Sequence, residues 1–558
     1  MPEPPAAAMP KKQAGLLGSS MVVGSMTMFS RVLGLLRDVV IARLFGASGN
    51  ADAFFIAFRI PQFLRRLFAE GAFSQAFVPV LAEYRSNSEK NGQLQAVRDL
   101  LNAVCGVLGG TLLLLSVLVV LAAPLVAMLF APGFINQPEK FELTVTMLRI
   151  TFPYLLLISL TGFAGAILNS YDRFAVPAFT PVLLNVALIS AALWLSPRLA
   201  EPVFALAWGV LIAGFAQLLF QIPFLARLEL LPRPRWQPAH EGVRRIMRLM
   251  LPAIFGVSVS QINLLLDTVL ASFLPTGSVS WLYYSDRLAE LPLGVFGIAI
   301  ATVILPGLSR MKIQSAGDGE LHASWAQFSA TLEWALRCIA LIALPAMVAL
   351  MVLAEPILYL LFQYQAMQPF DVQMSALSLR AYALGLLAFM AIKVLATGYY
   401  SRQDMKTPVR IGIIAMVANM VLNLVLVTWL HVYWQVGHVG LALATALSAM
   451  LNALLLYRGL GDAARQSGVS AQLLGRQFGV LLLRIVLASL AMGALIYFLL
   501  PSPELWQAAG VWWRLQTVAW LCVAGALALL LLLALLGVRP AHFQEHAVTR
   551  SRQQQAVR

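Results

Sequence analysis

The sequence predicts an all-α polytopic membrane protein of fourteen transmembrane helices, built as two parallel-related six-helix lobes plus two additional C-terminal helices. Three observations lead to this reading. Of 558 residues, 60% are hydrophobic and only 11% are charged, whereas soluble domains carry about 25% charge. Apolar runs with the length or density of spanning helices, such as LLLLSVLVVLAAPLVAMLFA (112–131) and LALLLLLALLG (527–537), recur along the chain. Basic residues fall in alternate connections between those runs.

The apolar spans cover residues 18–45, 52–83, 101–131, 143–168, 176–196, 202–226, 247–274, 279–309, 328–362, 373–400, 409–430, 436–457, 477–500 and 508–537. The N-terminus and every second connection hold 24 Lys and Arg; the other connections hold only Lys140, Arg198 and Arg514. By the positive-inside rule this split places both termini in the cytoplasm and supports an even count, because one missed span would scramble the alternation. The net charge of +14 is then an orientation signal, and its distribution excludes a nucleic-acid partner. The lead MPEPPAAAMPKKQAG reads as a polar extension and not a signal peptide, since no small-residue cleavage site follows a short apolar core. Cys105, Cys338 and Cys522 sit in apolar runs and read as small buried hydrophobes without a disulfide framework.

An internal repeat organises the spans. AFSQAFVPVLAEYR (72–85) matches AIATVILPGLSR (299–310), with Pro79 on Pro306; NSYDRFAVP (169–177) matches YSRQDMKTP (400–408), with Ser170 on Ser401 and Pro177 on Pro408. The offsets, 227 and 231 residues, place spans 1–6 on spans 7–12. An even-numbered unit gives parallel repeats about an axis along the membrane normal, a transporter architecture with the substrate between the halves. The expected organisation is a cytoplasmic lead (1–17), an N-lobe (18–230), a C-lobe (231–460), helices 13 and 14 (461–538) and a cytoplasmic tail (539–558).

Charge inside the spans concentrates in spans 1, 2 and 8. In SRVLGLLRDVVIARLFG (30–46), Arg31 and Asp38 are seven residues apart and share a helix face, with Arg37 beside Asp38. In span 2, Arg59, Arg66 and Glu70 share a face while Arg65 points elsewhere; in span 8, YYSDRLAELP puts Asp286 and Glu290 on one face beside Arg287. An arginine at the bilayer centre costs about 2.5–3.5 kcal/mol on insertion scales, so such charges mark function or internal pairing. Apart from Arg43 and Glu83 near span ends, spans 1 and 2 hold Arg31, Arg37, Arg59, Arg65 and Arg66 against Asp38, Asp52 and Glu70. That surplus suits an anionic ligand, whose phosphate oxygens match the planar guanidinium fork. The six histidines are scattered without metal-ligand spacing, and Walker A and GxSxG sequences are absent. The residues therefore predict a transporter and not an enzyme.

SMTMFSRVLGLLRDVVIARLFG, ADAFFIAFRIPQFLRRLFAEGAFSQAFVPVLAEY, GSVSWLYYSDRLAELPLGVFGIAIATVILP and YYSRQDMKTPV closely resemble the MurJ (MviN) lipid II flippases of bacterial peptidoglycan synthesis, in the multidrug/oligosaccharidyl-lipid/polysaccharide exporter superfamily. The resemblance implies two six-helix lobes around a central cationic cavity, with helices 13 and 14 forming an apolar groove for the lipid tail. It implies that Arg31, Arg37, Arg65 and Arg287 engage the diphosphate and sugar-peptide head group, that Asp52 is functionally important, and that Glu70, Asp286 and Asp38 support them. The cargo implied is lipid II, an undecaprenyl-diphosphate-linked disaccharide-peptide, moved by alternating access across the bacterial cytoplasmic membrane, without a bound cofactor. Partners would be membrane lipids and cell-wall synthesis machinery. Some relatives use a monovalent cation between spans 7, 11 and 12, for which Asp267, Asn419, Asn423 and Thr445 are the candidate oxygens. One acid in that set leaves the charge low for tight binding, and membrane potential is the alternative drive. A flippase for another polyprenyl-diphosphate sugar would use the same cavity, whereas a cation antiporter of the superfamily would line it with acids.

Overall fold

The computed structural model describes residues 12–66, 73–91, 94–297, 300, 304, 308, 318–466 and 474–543, and among these the regular elements are all helical. The chain divides into two compact units: Gly49–Gln261 with the chain up to Phe45, and Ile262 onward with the short turn Gly46–Ser48. The division falls inside one helix, Glu241–Ser272, between Gln261 and Ile262.

Unit 1 is built from α1 (Lys12–Phe45), α2 (Gly49–Leu64), α3 (Ser74–Asn91), α4 (Leu94–Leu121), α5 (Ala123–Phe130), α6 (Pro138–Thr151), α7 (Tyr154–Ser170), α8 (Ala175–Ser190), α9 (Phe204–Arg227) and the first part of α10 (Glu241–Ser272). Prolines punctuate the apolar runs. Pro124 and Pro138 sit in the first turns of α5 and α6, where a missing N–H has no partner to lose, and Pro153 separates α6 from α7. The core gathers α3, α4, α7, α9 and α10 around Phe73, Phe77, Leu100, Phe163, Ile167 and Ile246. The Phe77 and Phe163 rings meet edge-on at 5.1 Å.

Unit 2 continues with α11 (Ser278–Pro292), α12 (Asp318–Leu361), α13 (Pro369–Leu384), α14 (Leu386–Tyr400), α15 (Lys406–Trp434), α16 (Gly437–Gln466), α17 (Arg476–Leu499), α18 (Pro503–Ala508) and α19 (Val511–Leu535). Its core centres on Trp325, Phe328, Leu332, Met390, Tyr399 and Leu456. The two C-terminal spans, α17 and α19, pack on α12 through Leu344, Leu481, Ile485 and Leu533. Leu483, Leu487, Phe498, Leu527, Leu530 and Leu535 remain exposed, as expected of helices with a hydrocarbon-facing side. The turn Gly46–Ser48 requires its glycine: Gly46 has φ +60°, and a Cβ there would lie 2.5 Å from the Ala366 carbonyl oxygen.

The repeat is visible in the backbone. After α7, the Arg173 N–H bonds to the Leu168 carbonyl at 2.9 Å and the Asp172 N–H to Asn169 at 3.2 Å; after α14, the Asp404 N–H bonds to Tyr399 at 3.1 Å and the Gln403 N–H to Tyr400 at 3.0 Å. Asp172 and Gln403 are both left-handed, at φ 60° and 61°. Two identical helix ends of the Schellman type therefore stand at the spacing that separates Ser170 from Ser401. Pro138 and Pro369, which open α6 and α13, keep the same spacing. Of the other sequence match, Pro306 lies outside the described residues.

Among the described residues, ten helices or joined helix pairs are long and apolar enough to cross a membrane. This makes the chain a multi-pass membrane protein. The ten omit α1, α2, α3, α10 and α11, and the fourteen-span expectation assigns its remaining crossings to that charge-bearing set. Two expectations are corrected. Cys105 and Cys338 are half-buried and Cys522 is exposed on α19, because a membrane helix turns apolar residues outward as well as inward. Lys140 and Arg514, read as charges of the outer connections, are buried. The Arg514 guanidinium donates to the Tyr359 carbonyl at 2.8 Å and the Gln363 carbonyl at 3.1 Å, tying α19 to the end of α12.

Candidate functional site

In unit 1 the charges of α1 split into a paired set and an unpaired one. Arg37 and Asp38 are 6% and 2% exposed. The Arg37 guanidinium donates to Asp38 Oδ1 from Nη2 at 2.7 Å and from Nε at 2.9 Å. Its Nη1 donates to Asn185 Oδ1 on α8 at 3.1 Å, and the Asn185 amide donates back to the Ser30 carbonyl at 3.0 Å. Arg37 is thereby neutralised and locks α1 to α8. Arg31, two turns earlier and half-buried, makes no ion pair or side-chain hydrogen bond among the described residues. Arg59 in α2 is in the same condition. Arg65 and Arg66 are half-buried where α2 ends, and Glu70 lies outside the described residues.

Asp52 stands in the first turn of α2, 1% exposed, with its carboxylate 3.0 Å from Lys140 Nζ in α6. The same ammonium sits over the Phe134 ring, 4.1 Å from its centroid. A buried pair with this geometry fixes the start of α2 against the start of α6, and removing either partner would strand a buried charge. The resemblance singled out Asp52, and no local pattern singled out its partner Lys140, 88 residues away.

In unit 2, α11 has two faces. Trp281, Tyr284, Ser285 and Leu288 are buried, and the spacing of three to four puts them on one side. Trp281 Nε1 donates to Asp371 Oδ1 at 3.0 Å, Ser285 Oγ donates to the Ser375 carbonyl at 2.7 Å, and the Tyr284 hydroxyl donates to the Gly46 carbonyl at 3.0 Å. His438 of α16 lies against Trp281, ring centroids 4.8 Å apart. These contacts hold the helix so that Tyr283, Asp286, Arg287 and Glu290 lie on the other side. There Asp286 and Arg287 are half-buried and Glu290 is exposed. Arg287 approaches Glu290 at 3.5 Å and stacks on Tyr283 at 5.1 Å. The fixed face thus presents a guanidinium that is held laterally and not enclosed.

The candidate cation oxygens form a chain across α10, α15 and α16. Asn423 Nδ2 donates to Asp267 Oδ1 at 2.7 Å and to Asn419 Oδ1 at 2.9 Å, and Asn419 Nδ2 donates to Ser448 Oγ at 3.3 Å. The Thr445 hydroxyl donates to its own helix at the Leu441 carbonyl, 2.9 Å away. Asn423 Oδ1 is buried without a hydrogen-bond partner among the described residues. One carboxylate with neutral oxygens, one of them unpartnered, fits a singly charged hard cation better than a divalent one.

The two units place their acids at the same register. LLRDVVIA (35–42) and LLLDTVLA (264–271) align, so that Asp38 corresponds to Asp267 and Arg37 to Leu266. At the same offset Asp52 falls on Trp281. This correspondence was the available signal for Trp281 and Asp371, which the charge-based reading passed over because one partner is an indole.

Comparisons agree with this architecture. The family model of lipid II flippase MurJ matches residues 41–515. A probable lipid II flippase MurJ of Haemophilus influenzae is 49% identical over 524 residues, covering 93% of this chain and 99% of that protein. The lipid II flippase MurJ of Burkholderia cenocepacia is 43% identical over 449 residues, covering 80% and 84%. A solved lipid II flippase MurJ in an inward closed conformation superposes with a TM-score of 0.72 at 26% identity, covering 92% of this chain and 98% of that one. An inward-facing multidrug transporter of the MOP superfamily shares the fold at a TM-score of 0.59 and 15% identity. With half of its residues in common with a relative that it covers almost end to end, the chain belongs to the MurJ family of lipid II flippases, transporters and not enzymes.

Proposed function

We propose that this chain flips lipid II from the inner to the outer leaflet of the bacterial cytoplasmic membrane, by alternating access through a central cationic cavity. The observation that carries the cationic part is the contrast along α1. Arg37 is consumed by Asp38 and Asn185, while Arg31 keeps its charge without an acid among the described residues. A half-buried arginine without a counter-ion is costly in a membrane helix unless an anion arrives to meet it. Arg31, Arg65 and Arg287 would bind the diphosphate and its sugars. Arg37 with Asp38, and Asp52 with Lys140, would keep α1 and α2 in place around them; Asp286 and Glu70 would tune the charge.

The polyprenyl tail need not cross. The exposed aliphatic side of α17 and α19 offers it lipid-like surroundings while only the head moves through the cavity, which avoids the cost of carrying a charged head through hydrocarbon. The alternation of basic connections supports cytoplasmic termini. Asp267, Asn419, Asn423 and Thr445 would hold a monovalent cation, which supplies counter-charge at Asp267; the membrane potential is the other candidate drive, since it acts on whatever charge moves.

The test is the leaflet distribution of lipid II in cells depleted of this protein, read with an enzyme that cleaves only outward-facing lipid II. Outward lipid II should fall while total lipid II rises, and wild-type protein should restore it. A normal outward fraction after depletion would remove lipid II as the cargo.

A further inference from the structure

Between α4, α7 and the first part of α10, unit 1 encloses a cavity of about 340 Å³. Its wall is almost wholly hydrocarbon and sulfur: Leu108 and Leu112 from α4 face Ile246 and Met250 from α10, and only Thr111 and Ser159 add hydroxyls. A buried water needs two to four polar partners, so this wall suits an apolar occupant. The cavity has a side toward the surroundings. Met247 and Leu251 both line it, and both are exposed, at 51% and 62%. In a membrane protein the medium at such a face is lipid.

The charge beside that opening is equally specific. Arg244 and Arg248 flank Met247 on the same face of α10, since residues three, four and seven apart stack along one side of a helix. Both are exposed, and neither has an ion pair among the described residues. Their neighbour Arg245, by contrast, is paired with Glu83 at 2.7 Å. Two arginines without an ion pair among the described residues therefore stand one turn from an opening into an apolar cavity, at the basic start of α10. This is the layout of a lipid site: a chain in the slot and a phosphate on the arginines.

We propose that this cavity binds one acyl chain of a glycerophospholipid, with the lipid phosphate on Arg244 and Arg248. The occupant would fill the gap beneath the first part of α10, the helix that runs covalently from unit 1 into unit 2. The site is distinct from the cargo cavity proposed above and does not depend on it.

The test uses the full-length protein in vesicles of phosphatidylethanolamine and phosphatidylglycerol, with a trace of phosphatidylglycerol carrying a diazirine on one acyl chain. After irradiation, label should appear in the peptides containing Leu108–Leu112 and Ile246–Met250 and should be diluted by unlabelled phosphatidylglycerol. Leu108→Trp, which fills the slot and excludes about two methylenes of chain, should lower the label roughly tenfold. Ser159→Leu is a gentler filling should Leu108→Trp fail to fold, and should lower it severalfold. Arg244→Gln with Arg248→Gln should also lower it severalfold. Wild-type protein unlabelled at these peptides, or label unchanged in a folded filling variant, would overturn the proposal. Label displaced by polyprenyl phosphate but not by phosphatidylglycerol would overturn it too, by assigning the cavity to the cargo's tail. Flipping is not the readout, so failure here leaves the cargo assignment intact.

Discussion

In unit 1 the start of α2 is tied to the start of α6 by an ion pair, Asp52 to Lys140 at 3.0 Å. In unit 2 the start of α11 is tied to the start of α13 by an indole, Trp281 to Asp371, also at 3.0 Å. The four residues occupy matching places in the repeat. Asp371 further accepts from the Gln368 N–H at 3.0 Å, which closes a capping box on α13. The second joint thus satisfies one carboxylate with two neutral donors, where the first cancels two formal charges. The same divergence recurs one helix earlier, where Asp38 has Arg37 and Asp267 has Asn423. Duplication has kept the positions of the joints and let their charge change. Charge absorbed in a joint is architecture. Charge left over, as on Arg31, or carried on a half-buried face of a fixed helix, as on Arg287, is where the function should be sought.

The comparison can be broken most forcefully at the ion pair. Lys140→Met strands the Asp52 carboxylate and should cost about 3–5 kcal/mol, read as a fall in the Tm of the detergent-solubilised protein. Asp52→Leu combined with Lys140→Met should recover most of that loss, because an apolar pair of similar volume leaves no buried charge. If the double variant is as unstable as the single one, the pair is not the source of the cost. The neutral joint should be weaker: Trp281→Phe keeps the ring against His438 but deletes the hydrogen bond to Asp371, for a loss of about 1.5–3 kcal/mol. Equal losses at the two joints would remove the distinction between them.

Acid sensitivity should sharpen it further. Asp404 lies in the loop before α15 and accepts from the backbone N–H groups of Lys406 at 3.1 Å and Thr407 at 3.0 Å. Partial burial pushes its carboxyl up, but the Thr407 and Lys406 hydrogen bonds and the Arg402 charge outweigh this and hold it below the usual carboxylate range. A carboxyl lowered on folding contributes stability that is present above its unfolded value, near 3.9, and is lost as pH falls through the folded one. The matching place in unit 1 is Arg173, which has no such carboxyl. Asp404→Asn should therefore flatten the acid limb of a Tm-against-pH profile, whereas Arg173→Gln should leave that limb unchanged. The smallest effect belongs to the two left-handed helix ends. Asp172→Gly and Gln403→Gly each relieve a positive φ, and each should gain at most about 1 kcal/mol. The gains should be similar, since the two turns share one hydrogen-bond pattern.

Much of this was legible in the sequence because it is carried by local pattern. Composition gave the class, loop charge gave the alternation, and NSYDRFAVP against YSRQDMKTP located helix ends that prove superimposable in their bonding. The pair of Glu333 and Arg337, 2.5 Å apart, is likewise local, since residues four apart meet on one helix face. What escaped were partners far apart in the chain. Nothing local marks Lys140 as the partner of Asp52, or Asn185 as the partner of Arg37, and a lysine between apolar spans reads first as a loop charge. Trp281 with Asp371 was harder still, because the equivalence replaces an acid by an aromatic and is marked only by the register of the repeat. Exposure of Cys522 escaped for a different reason: in a membrane helix, hydrophobicity does not tell inside from outside.

The most direct measurement of the central claim is lipid II flipping by Arg31→Gln and Arg287→Gln in cells depleted of the wild-type protein, paired with the Tm of each purified variant. If these arginines serve the cargo, the outward-facing fraction of lipid II falls to the depleted level while both Tm values stay within a few degrees of wild type. If flipping persists, or is lost together with a Tm collapse like that of Lys140→Met, the arginines belong to the scaffold and the cationic-cavity account is contradicted.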